Sequence, residues 1–169
     1  MIRKSLFLIS ICVLGLTPAW AADGQGASRP TLKQDLVGTW ELVSVRPLYN
    51  KKDPVFYPYQ RFVFNADSSM KFMASQKPFT KEWLDKFDRQ TAEIDYSLSE
   101  KGMMVLTWQK QPHSENALCA YVLKDVPSEI AAKLSETDRK GLPKKGDVTL
   151  SFLGSQARIS YQKVLRKIA

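Results

Sequence analysis

Leu36-Val37-Gly38-Thr39-Trp40-Glu41-Leu42-Val43-Ser44 is a strand sequence with a glycine at its entry and one large ring inside it. Trp40, Leu42, Val43 and Val45 suit a pleated, half-buried surface, and Pro47 ends the run. The strand expected here covers Thr39 to Val45. Gly38 allows a close backbone approach where the strand begins. Trp40 offers a large apolar ring to a core.

Downstream, Lys51 to Pro58 holds two prolines and reads as a loop. Tyr59 to Phe64 then alternates, with Phe62 and Phe64 on one face and Arg61 on the other. Asn65-Ala66-Asp67-Ser68 has short side chains that bond their own backbone, so it is a turn. Met70, Phe72 and Ala74 resume the alternation against Lys71, which completes a hairpin. In Thr80 to Arg89 the period changes. Trp83 and Phe87 sit four apart with Leu84 between them, and Thr80 can cap, which predicts a short helix.

Strands return at Glu93 to Leu98 and at Met103 to Gln109, joined by Glu100-Lys101-Gly102. Pro112 to Asn116 reads as a loop, and Ala117 to Leu123 as a strand buried on both sides. Val126 to Lys140 has a helical pattern, with Pro127 in its first turn and Gly141, Pro143 and Gly146 ending it. Asp147 to Phe152 and Ala157 to Leu165 are the last two strands. The sum is an all-β chain of about eight strands with two short helices between strands. Sequential hairpins make an antiparallel up-and-down meander, and such a meander closes into a barrel to remove its edges.

Three segments divide the 169 residues. Met1 to Ala21 has Arg3 and Lys4 at its start, an apolar run from Ser5 to Leu16 and Ala19-Trp20-Ala21 at its end. That is a cleavable secretory signal, cut after Ala21. The apolar run is about a dozen residues, short of the ~20 that span a bilayer. Cys12 lies inside the run, where no lipid would be attached. Residues 22–30 form a flexible lead. Residues 31–169 form the domain. The expected location is periplasmic or secreted.

The chain carries 25 Lys+Arg against 17 Asp+Glu, a formal charge of +8. Removing the signal takes two basic groups, no acidic one, and one of the two cysteines. Cys119 cannot then close a disulfide within the domain, and reads as a small buried residue. The basic surplus gathers at Lys133, Arg139, Lys140, Lys144 and Lys145, with Lys163, Arg166 and Lys167 further on. The first group could meet an anionic membrane surface or a protein partner. Nucleic acid is not an expected partner outside the cytoplasm.

Chemistry-bearing patterns are absent from the sequence. His113 is the single histidine, lying in a loop with no nucleophile motif near it. Met70, Met73, Met103, Met104, His113 and Cys119 are soft ligands, but each methionine pair splits between two strand faces. We therefore expect no metal, no cofactor and no catalytic set. The apolar residues Phe62, Phe64, Met70, Phe72, Tyr96, Met104, Leu106, Trp108 and Tyr121 fall on consistent faces of successive strands. In a closed barrel they line or fill the interior.

The Gly38-Thr39-Trp40 strand resembles the Gly-X-Trp opening strand of the lipocalins and their smaller bacterial lipocalin-like (calycin) relatives. Phe62-Val63-Phe64-Asn65-Ala66-Asp67 resembles the second strand and turn of such domains, with Ser68 where Asp-Gly is common. The resemblance implies a barrel plugged at one end by Trp40, with Arg166 packed over its ring. It also implies an interior open at the other end to a small hydrophobic, lipid-like ligand, bound without catalysis. The family's main helix follows its last strand, whereas both helices expected here lie between strands. A second expectation, of another class, is a filled barrel that docks a partner through its loops and the basic 133–145 segment.

Overall fold

The computed structural model describes residues 29–47, 57–126, 128–136, 139, 141–153 and 159–168. The expected signal, most of the N-terminal lead and Lys140 lie outside them.

Nine strands form one antiparallel sheet. In chain order these are β1 (Arg29–Pro30), β2 (Gly38–Pro47), β3 (Tyr59–Phe64), β4 (Ser69–Ser75), β5 (Ile94–Leu98), β6 (Met103–Trp108), β7 (Gln111–Val122), β8 (Val148–Leu153) and β9 (Ile159–Lys167). Among the described residues the short helices α1 (Lys33–Leu36), α2 (Lys81–Asp88) and α3 (Ser128–Ala132) punctuate them. Each of β2 to β9 pairs with its sequence neighbour, and β9 pairs back onto β2. The result is a closed eight-stranded up-and-down barrel. The two-residue β1 lies along β7 beside the start of β6, where it covers an edge segment of β7.

The period-two pattern explains the core. Phe62 and Phe64 of β3, Met70 of β4, Ile94 and Tyr96 of β5, and Met104 and Leu106 of β6 are all buried inside. Leu118 and Ala120 of β7, Val148 and Leu150 of β8 and Leu165 of β9 complete the ring. Trp40 and Leu36 close one end. The Trp40 ring is 2% exposed, and its Nε1 donates to Leu36 O at 2.6 Å.

The β3–β4 turn forms where its chemistry places it. Asn65 N donates to Ser69 O at 2.9 Å, and Asp67 Oδ1 accepts from Ser69 N and Oγ at 2.9 and 2.6 Å. Those bonds hold the Asp67 carboxyl below its usual range. Ser68 takes φ 71°, a left-handed conformation that suits glycine better. We predict that Ser68→Gly raises stability by about 0.5 kcal/mol, the relieved strain less the extra entropy of an unfolded glycine. A denaturation midpoint unchanged or lowered would show that the turn carries no strain.

Elsewhere the structure departs from the sequence expectation. β7 begins at Gln111, so the whole of the expected Pro112–Asn116 loop falls within the strand. The ladder jumps from Thr107↔Glu115 to Trp108↔Gln111, so residues 112–114 bulge without partners and Pro112 removes no ladder bond. The expected helix from Val126 to Lys140 shrinks to Ser128–Ala132. Beyond it, Leu134 N donates to Ala131 O, and the helix breaks at Ser135, whose short polar side chain competes for the backbone. Glu136 and Arg139 are helical again, with Arg139 N donating to Ser135 O. In α2, Thr80 caps Trp83 N as expected, yet only Phe87 is buried and Trp83 is exposed.

Candidate functional site

Two ends of the barrel differ in chemistry. The Trp40 end is densely apolar. The other end gathers Gln60 and Phe62 from β3, Phe72 from β4, Phe152 from β8, and Tyr161 and Lys163 from β9. Strand alternation turns all of them inward. Lys163 lies opposite Leu150 of the core, and Tyr161 lies opposite Phe152.

Lys163 is the residue that sets this end apart. It is 9% exposed. Its Nζ lies 5.3 Å from the ring centres of Phe62 and Phe72, 5.1 Å from that of Phe152 and 6.0 Å from that of Tyr161. It donates one hydrogen bond, to Gln60 Oε1 at 2.7 Å. Among the described residues no carboxylate makes an ion pair with it. Burial pushes its ammonium down to about 8, because the charged form loses its water. The rings are fixed by one another: Phe152 stacks on Tyr161 at 4.6 Å, and Phe62 meets Phe72 at 4.8 Å. Burial also raises the Tyr161 phenol above its ordinary value.

The wall beside this end is thin. β4 and β5 share only two register pairs, Ser69↔Asp95 and Met70↔Ile94. Past Met70, β4 runs without a β5 partner, because β5 begins at Ile94. The C-terminus of α2 stands there instead, tied by Lys71 Nζ to Phe87 O at 3.2 Å and Asp88 O at 2.9 Å. Cations satisfy the carbonyls that end a helix. A recess of about 340 Å³ opens at this seam, lined by the apolar Met70, Phe72, Phe87, Ile94 and Trp108 and by the polar Lys71, Gln90, Thr91 and Glu93. Phe72, on the inner face of β4, is 40% exposed. Its ring therefore borders both the recess and the Lys163 amine.

Of the residues expected to line the interior, Phe62, Phe64, Met70, Tyr96, Met104 and Leu106 are buried in the core. Trp108 is half-buried against that core and lines the recess. Tyr121 is a correction. It lies opposite Thr149 and Pro30, on the outer face of β7, while Ala120 and Val122 face in. The continuous apolar run of β7 hid which residues point inward.

Arg166 is a second correction. The cation over Trp40 is Lys167, with Nζ at 5.7 Å from the ring, because Lys167 is the cross-strand partner of Trp40. Arg166 is one residue out of phase and points outward. There its Nε and Nη2 donate to the two carboxylate oxygens of Asp147 at 3.0 and 2.7 Å, and Nη2 also to Leu142 O at 3.2 Å. A third correction is Lys163 itself, which belongs to the interior and not to a basic surface. The alternation Tyr161, Lys163, Leu165 carried that signal. Gln60 was legible in the same way, as the residue two before Phe62.

Lys133, Arg139, Lys144 and Lys145 are exposed, as a surface patch requires. The side chain of His113 lies outside the described ones. Cys119 is buried. Among the described residues, no group of three or more His, Cys, Asp or Glu could hold a metal. No family model, curated protein or solved structure matches the chain.

Proposed function

We propose that this is a lipocalin-like barrel, exported from the cytoplasm, that binds a small apolar molecule at its aromatic end without transforming it. The observation that supports this is the half-exposed Phe72 ring on an inward face, bordering a recess of about 340 Å³ in an incompletely paired wall. A concave space with apolar side chains and a few polar groups on its walls is the ordinary form of a ligand site. The Gly38-Thr39-Trp40 strand and the closed eight-stranded barrel are what a member of that family requires.

The test is displacement of the uncharged fluorophore N-phenyl-1-naphthylamine by decanol. The fluorophore brightens on binding, and decanol reverses the signal. Phe72→Ala weakens decanol by about tenfold, the loss of one ring contact. Absence of any fluorophore signal from folded protein overturns the reading.

The exposed cluster of Lys133, Arg139, Lys144 and Lys145 supports a second reading, docking to a protein partner or an anionic membrane surface. Reversing the charges of Lys144 and Lys145 would abolish binding of the protein to anionic vesicles or to a captured partner. Unchanged binding counts against the patch.

A further inference from the structure

We infer that Lys163 captures an apolar aldehyde or ketone as a reversible imine, with the ligand body lying along Phe72 into the recess between β4 and β5. The inference rests on the apolar-ligand reading above and names the functional group that ligand carries.

The argument begins with what surrounds the amine. Four ring faces lie within 6.0 Å of Nζ, and the single hydrogen-bond partner is an amide oxygen. Ring faces and carbonyl oxygens both present negative charge. Every group the barrel aims at this nitrogen therefore favours a cation there. Among the described residues, the Tyr161 phenol is the one neutral donor beside that cage, and no second cation stands there for an anion. A carboxylate ligand would gain one ammonium and then face four ring faces of its own sign. A neutral carbonyl compound meets no such opposition. Its protonated imine leaves the positive charge where the lysine held it, over the same rings and beside Gln60.

The second part is reactivity. An amine attacks only in its neutral form. Burial has brought this one to about 8, so a substantial share is neutral near physiological pH. Lys133, Lys144 and Lys145 are exposed instead.

The third part is room and dryness. Phe72 touches the amine's cage on one side and the recess on the other. Phe72 is the one residue shared by the recess and the amine's cage, so an aldehyde whose tail lies in the recess would bring its carbonyl carbon to Nζ along that ring. The step balances without an oxidant or reductant. The Nζ lone pair forms the C–N bond while the carbonyl π pair moves to oxygen. The two protons shed by nitrogen leave with that oxygen as water, and the C=N bond remains. A site that excludes bulk water slows the reverse hydrolysis.

The experiment treats the folded protein with substoichiometric decanal and sodium cyanoborohydride, then maps the decylated lysines by peptide mass spectrometry. Decanol displacement of N-phenyl-1-naphthylamine is measured on the same preparation. We expect decylation at Lys163 at least tenfold above that at Lys144, and suppression of it by excess decanol. Lys163→Met and Lys163→Arg both lose the dominant adduct. Decylation spread over surface lysines, with decanol binding intact, overturns the imine and leaves the apolar site standing. If decanol does not bind and Lys163 is not decylated, both readings fall.

Discussion

Lys163→Met makes the protein more stable at pH 7, by about 2 kcal/mol, and removes a rise in stability that the wild type shows between pH 8 and 10. The buried ammonium is held at about 8, against 10.5 for the free side chain. Between those values the unfolded chain carries the proton and the folded one does not. Stability therefore climbs with pH across that window. Below pH 8 both states are charged and the whole desolvation penalty stands. The shift alone corresponds to about 3 kcal/mol, and the Gln60 bond lost in the variant returns about 1 of it. Above pH 10 the raised phenols of Tyr96 and Tyr161 turn the slope downward in both proteins. Denaturant titrations at pH 7, 8, 9 and 10 check this. Parallel curves for the two proteins would mean that Lys163 is hydrated and not held among the rings.

Trp40→Ala lowers stability by about 4 kcal/mol, the usual cost of deleting a fully buried tryptophan. Three losses add up at one site. The ring leaves a hole at the closed end, beside Leu36. Leu36 O loses the Nε1 donor that sat 2.6 Å away. Lys167 loses the ring under its ammonium. Trp40→Phe separates these, since it keeps most of the packing and drops the hydrogen bond. Its cost is about 1–2 kcal/mol. Urea unfolding of both variants reads the two numbers. A Trp40→Ala cost under about 1 kcal/mol would show that the barrel end collapses around the gap.

Most of the barrel was legible because alternation is a local signal. Phe62/Phe64, Met70/Phe72 and Ile94/Tyr96 name their own inner faces, and the hairpins join them in order. The closure was legible only by inference, since the β2–β9 and β7–β8 pairings join residues far apart in sequence. Tyr121 misled because β7 is apolar on both faces, so residue type alone does not separate its inner face from its outer one. Arg166 misled by one residue, because β9 alternates with Leu165 and Lys167 on the inner face and so turns Arg166 outward. The site itself was half visible. Its aromatics stood out by type, whereas Lys163 was counted with the surface charges beside it. Composition puts lysines outside, and only the phase of β9 puts this one in.

The pairing of β9 with β2 has a consequence in time. Lys167 lies opposite Trp40, so one seam of the cylinder joins the first long strand to the last. Until β9 has left the ribosome the chain is an open sheet with two raw edges, β2 and β8. No shorter stretch can bury Trp40, Leu42 and Val148 together with Leu165. Such a chain closes only once β9 has emerged, in the slow regime of non-local topologies.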